Sequence, residues 1–123
     1  MFTDTHCHLY KEYYENLEEI LNHAYETKVN RFIVAGCDSS SNKEVFNLVQ
    51  EYKNIYGCVG IHPEETLTYK INDLEELEQE LKSDKIVAIG EIWLDYHYDK
   101  ENKELQKKLF IKQLEIAKKY TDK

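Results

Sequence analysis

The chain has 123 residues and a mass of 14.7 kDa, with 41% hydrophobic and 33% charged residues, one proline and four glycines. That composition excludes a disordered tail or a low-complexity linker and suits one folded domain over residues 1–123. A formal charge of -8 argues against a protein that coats nucleic acid through its overall field, though not against an enzyme that meets phosphates through bound metal ions.

No apolar run approaches the roughly 18 residues needed to span a bilayer, and the N-terminus lacks the basic region and apolar core of a signal peptide. A cytoplasmic address with no membrane contact is therefore expected. Cys7, Cys37 and Cys58 are odd in number and have no CxxC spacing, so they read as reduced, buried small apolar residues. The ten tyrosines are scattered among lysines and asparagines and read as compositional bias rather than as a stacking platform.

In chain order, short β-branched runs alternate with longer amphipathic stretches. A strand is predicted over Phe2 to Thr5. The helix after it carries Leu17, Ile20, Leu21 and Ala24 on one face, and His23 on that helix is expected to be solvated. A second strand over Arg31 to Ala35 leads to a helix opened by Ser41, with Glu44 closing a capping box and Val45, Leu48 and Val49 facing inward. Asp38, Ser39 and Ser40 between them read as loop and cap. A third strand over Ile55 to Gly60 precedes a helix capped by Asp73 and packed through Leu74, Leu77 and Leu81. A fourth strand, Ile86 to Gly90, precedes a helix that presents Leu105, Leu109, Leu114 and Ala117. The lysines of this last helix form a solvated face.

The strands are apolar on consecutive residues, which suits a parallel sheet covered by helices. Periodicity leaves two architectures open, a TIM barrel and a doubly wound sheet. The chemistry is placed after the strands. At period two, Asp4, His6 and His8 point one way while Thr5 and Cys7 point the other. Gly60-Ile61-His62-Pro63 follows the third strand and brings another imidazole to the same rim. The fourth strand ends in Gly90-Glu91-Ile92-Trp93-Leu94-Asp95-Tyr96-His97, which sets Glu91 at its terminus. Imidazoles and a carboxylate together suit zinc, manganese or magnesium, and two such ions would activate a water and steady a leaving oxygen.

The stretches "TDTHCHL", "VGIHP" and "AIGEIWLDYHYD" resemble the N-terminal signatures of the TatD-related metal-dependent hydrolases, deoxyribonuclease-like members of the amidohydrolase superfamily. The resemblance runs the length of the chain. It implies a TIM-barrel type (β/α)8 fold, of which these residues make the first four β-α units, a half-barrel. It also implies a site for divalent metal ions, two in a complete site, and hydrolysis of DNA phosphodiester bonds. By the same resemblance His6 and His8 are metal ligands and Glu91 is a shared ligand with a catalytic role. His62 is catalytic and lies near substrate phosphate, and Asp95 and His97 shape the substrate pocket. Trp93 stands where the family pattern has glycine. Packing against the barrel rim is favoured for it over stacking on a nucleobase.

A complete barrel of this kind takes about 250 residues. The family's remaining ligands, two histidines from the fifth and sixth strands and an aspartate from the eighth, have no counterpart in these residues. The expectation is a truncated domain of weak or no activity by itself, with DNA or another phosphodiester as substrate. The alternative is a non-catalytic half-barrel that pairs with itself as a homodimer or with a separate chain supplying the C-terminal half.

Overall fold

Each β-branched run read from the sequence forms a strand, and each amphipathic stretch forms a helix. A computed structural model describes residues 1–98 and 100–120. The strands are β1 (Phe2–Cys7), β2 (Val29–Ala35), β3 (Ile55–Val59) and β4 (Ile86–Ile89); the helices are α1 (Leu17–Glu26), α2 (Ser39–Glu51), α3 (Ile71–Glu80) and α4 (Lys103–Ala117). Short 3-10 turns occupy Lys11–Tyr13 and Pro63–Leu67. Among the described residues no helix is long and apolar enough to cross a membrane.

The sheet is parallel throughout, with strand order β1-β2-β3-β4. This order separates the two architectures that periodicity left open. A doubly wound sheet reverses the direction in which strands are added, whereas a barrel adds each strand beside the last. These four units are one arc of a barrel.

The helices cover one side of the sheet. Val34, Ile55, Val59 and Ile86 on the strands, with Val45, Leu77 and Leu81 from α2, α3 and the end of α3, are fully buried there. Each such side chain contributes roughly 1.5–3 kcal/mol. Gly57 lets α2 approach β3, since a Cβ there would stand 2.4 Å from Val45 Cγ1 and 2.8 Å from Ile86 Cδ1. The opposite, concave side is open, with a depression of about 340 Å³ lined by Thr3, Arg31, Ile33, Tyr56 and Val87.

Several local expectations are corrected. The cap of α2 is Asp38, whose carboxylate accepts the Ser41 N–H at 2.7 Å; Ser41 sits at the third helical position and its hydroxyl turns back to the Asp38 N–H at 3.0 Å. α3 begins earlier than expected, with Lys70 at the cap position, and Asp73 inside the first turn accepts the Lys70 N–H at 2.7 Å. At α2 an aspartate and a serine three residues apart can serve either end of the box, and at α3 Asp73 reaches back to the Lys70 N–H from the third helical position, so spacing alone misplaces both starts. Ile20 is 41% exposed on the flank of α1, beside the buried Leu17 and Leu21.

α4 turns a different face inward from the one expected. Gln106, Leu109, Gln113 and Ile116 are buried, while Leu105 and Leu114 stand 45% and 42% exposed and Ala117 is half-buried. The glutamines are drawn inside by backbone partners outside the helix, Asp95 and Ile61. The cysteines are free thiols, half-buried rather than buried. Burial pushes Cys7 up to about 12 and Cys58 up to about 11, so both stay protonated. His23 is solvated beside Glu26, and Lys107 and Lys119 pair with Glu104 and Glu78 on the surface.

Candidate metal centre

The end of β1 does not keep strict alternation. Asp4 pairs with Phe32 and Cys7 with Val34, so β1 takes three steps where β2 takes two. The extra residue bulges the strand and re-aims the side chains that follow. The Asp4 carboxylate accepts the His6 N–H at 3.1 Å and serves this bend, not the cluster of imidazoles.

His8 is fixed by its neighbours. Its Nδ1 lies 3.2 Å from the Ala35 carbonyl oxygen and 3.4 Å from Tyr10 Oη, and the Tyr10 hydroxyl donates to the same carbonyl. A carbonyl only accepts, so the bond from His8 requires the proton on Nδ1 and leaves the Nε2 lone pair for a ligand. Burial raises the Tyr10 phenol, with nearby anionic groups adding to it, which keeps that hydroxyl a donor.

Glu91 is held through its backbone. Its N–H donates to the Gly36 carbonyl at 2.9 Å, and the Gly90 N–H donates to Val59 at 2.9 Å. Gly60 presses against the same segment, since a Cβ there would lie 2.6 Å from the Gly90 carbonyl carbon and 2.9 Å from the Glu91 nitrogen. The Gly90–Glu91 peptide bond is cis.

The carboxylate then meets β1. His6 Nε2 and Glu91 Oε1 are 3.0 Å apart, although β1 and β4 are the outermost strands of the sheet. In a flat sheet those strands would stand about 14 Å apart, so the contact records the curl of the barrel arc. The His6 and His8 rings are 5.2 Å apart, and ligand atoms of His6, His8 and Glu91 all fall within 4.8 Å of one another. A neutral imidazole lone pair and a carboxylate oxygen at such a distance require a proton or a cation between them. Two imidazoles and a carboxylate are the donor set that divalent zinc or manganese accepts.

His62 caps the start of the 3-10 turn that follows β3 and is not among the three clustered ligand groups. Its Nδ1 accepts the Glu64 N–H at 3.1 Å, which places the proton of the neutral ring on Nε2. Its backbone N–H donates to the Cys37 carbonyl at 2.7 Å, and its ring meets the Trp93 indole edge to face at 4.1 Å. Trp93 thus packs on a rim residue while staying 42% exposed. Asp95 accepts the N–H groups of Tyr98 at 3.0 Å and His97 at 2.9 Å, and these bonds, that of Tyr98 first, hold its carboxyl below the ordinary range. His97 is exposed and stacks edge-on against Tyr98 at 4.6 Å, outside the imidazole and carboxylate cluster.

Three residues that sequence reading passed over support this rim. The Asn42 side chain donates to the Gly60 carbonyl at 2.9 Å and accepts the Gly60 N–H at 3.1 Å. Gln113 does the same for Ile61, at 2.9 and 2.7 Å, and Gln106 for Asp95, at 2.8 Å both ways. The available signal was positional: residues 106, 109, 113 and 116 recur at helical spacing, two of them apolar.

An arc of parallel β-α units with imidazoles and a carboxylate gathered at the strand C-termini defines the first half of a (β/α)8 barrel with a group that could hold a metal ion. The comparisons with known proteins agree. The model of the TatD related DNase family matches residues 3–123, and the chain belongs to the TatD family. It is 39% identical over 119 residues to the Bacillus subtilis uncharacterized metal-dependent hydrolase YabD, covering 96% of this chain and 47% of that protein. The crystal structure of YjjV, a TatD homologue from Escherichia coli, superposes with a TM-score of 0.87 at 33% identity, covering 98% of this chain and 48% of that one. A TatD family hydrolase from Entamoeba histolytica gives a TM-score of 0.84 at 25% identity, over 98% and 46%. The chain spans about half the length of the curated relatives it matches.

Proposed function

We propose that these residues form the first half of a metal-dependent hydrolase site that acts on phosphodiester bonds of DNA. The observation that carries the reading is the meeting of His6 and His8 from one edge of the sheet with Glu91 from the other. Those three side chains would hold a divalent ion, magnesium, manganese or zinc, and Glu91 would also serve a second ion in a complete site. A bound ion supplies Lewis acidity toward a phosphoryl oxygen. The rest falls to the chain's own groups. Tyr10 and Ala35 keep the His8 ring oriented, the backbone seat at Gly36 keeps Glu91 aimed at β1, and His62 offers an Nε2 proton toward an anionic oxygen. Trp93 and Asp95 border the place where a nucleotide would lie, and His97 lies farther along the same loop.

The test pairs binding with turnover in the chain of residues 1–123. Calorimetric titration should show zinc binding that falls at least about tenfold in His6→Ala and in His8→Ala. Cleavage of duplex or single-stranded DNA should need added divalent metal and vanish in Glu91→Gln. It should also be slow, because general-base help from the family's aspartate would be worth about a hundred- to ten-thousand-fold. Unchanged zinc binding in both histidine variants, or cleavage that survives chelation, overturns the proposal.

A second reading, an assembling half-barrel, is favoured by the exposure of β1 and by the open concave face. The unpaired edges of β1 and β4 would then pair with a second copy, or with a separate chain that supplies the other half. Light scattering decides it. A dimer supports this reading, and a monomer with cooperative unfolding at low concentration removes it.

A further inference from the structure

Asn42 is 2% exposed, and Gln106 and Gln113 are each 1% exposed. A buried carboxamide is costly unless its donor and acceptor are both matched, and each of these is matched by a single backbone residue of the rim. The oxygen takes that residue's N–H and the nitrogen gives to its carbonyl, as a neighbouring strand would. Gly60 and Ile61 are gripped from two helices, by Asn42 of α2 and by Gln113 of α4. Asp95 is gripped by Gln106 of α4.

The two glutamines are two helical turns apart, about 10 Å along one face of α4, and Leu109 and Ile116 on that face are anchored in the core. One rigid element therefore holds both the segment ending in His62 and the segment that carries Trp93 and Asp95. We infer that Gln106 and Gln113 are positioning residues, through which α4 sets the placement of His62 relative to Trp93 and Asp95. The inference rests on the proposed substrate side of the site, where these residues would face a nucleotide.

Hydrogen exchange and fluorescence test it without turnover. In the wild-type chain the Ile61 and Asp95 amides should exchange about 100-fold or more slowly than in an unstructured peptide, and faster exchange overturns the inference. In Gln113→Met, Ile61 should lose at least about tenfold more protection than Leu48 of α2, and acrylamide quenching of Trp93, the lone tryptophan, should rise about twofold. Equal loss at Ile61 and Leu48, or unaltered quenching, would mean that the glutamine only stabilises the fold. Should Gln113→Met fail to fold, Gln106→Met reads the same coupling from Asp95. Neither readout involves DNA or metal, so a chain that never cleaves DNA can still pass, and failure here leaves the hydrolase proposal standing.

Discussion

Along β3, fully buried residues alternate with half-buried ones from Ile55 to Val59, whereas on β1 every residue from Phe2 to His6 is exposed and only Cys7 is half-covered. Both are parallel strands of one sheet. β3 has a strand on each side and α2 pressed against Gly57, while β1 pairs with β2 alone. The donor set is divided between these two environments. Glu91 is seated on the well-packed side through Gly36 and Gly60, His6 rides on the strand with the least cover, and half-buried His8 just past that strand is held by Ala35 and Tyr10. A site built this way has one fixed wall and one that depends on its neighbours.

The sharpest way to break this contrast is to remove packing from β3. Ile55→Ala should cost about 2–5 kcal/mol in denaturant unfolding, because the side chain is wholly buried and leaves a cavity. Gly60→Ala comes next. Its Cβ would collide with the Gly90 and Glu91 backbone, for an expected loss of about 1–3 kcal/mol, and calorimetry should show zinc binding weakened with it as Glu91 leaves its seat.

Glu80 tests whether the covered side is free of flaws. It is 9% exposed, and its Oε2 has no hydrogen-bond partner among the described residues. Burial first, then the charge of Glu76, pushes its carboxyl up to about 7 from an ordinary 4.5, against the opposing pull of Lys43. Between those values the folded chain holds a proton that the unfolded chain has lost, so stability falls as pH rises through the window and is flat above it. Glu80→Gln should match wild type below the window. Above it, the variant should be more stable by about 2–3 kcal/mol in thermal or denaturant melts, because it has no carboxylate to ionise in the buried position. The smallest effect belongs to β1. Phe2→Ala, at a residue 64% exposed, should move stability by less than about 0.5 kcal/mol, and a larger loss would mean that β1 is covered in solution.

The fold was largely legible because β-branched runs and amphipathic stretches are local signals, and the sequence placed His6, His8 and Glu91 at strand ends where a parallel sheet must gather them. The structure adds that they meet across the full width of the sheet. Two kinds of feature escaped. Helix starts shifted because Asp38 and Ser41, or Lys70 and Asp73, share a cap through reciprocal bonds that composition does not order. The face of α4 was misjudged because hydropathy ranks Leu105 and Leu114 above Gln106 and Gln113. The glutamines are inside for their hydrogen bonds to Asp95 and Ile61, partners that no window along the helix contains. Likewise the bulge that takes Asp4 away from the imidazoles arises from pairing with β2, and strict alternation along β1 cannot show it.

The His6–Glu91 contact also has a meaning in time. A ribosome adds roughly 5–20 residues per second, so several seconds or more separate the appearance of the two imidazoles from that of the carboxylate. Through that interval His6 and His8 have no Glu91 carboxylate to meet. Under the proposed site, a cation caught then would be bound by imidazole alone, and tight retention would begin only once β4 has been made and the arc has curled far enough to bring residue 91 back to residue 6.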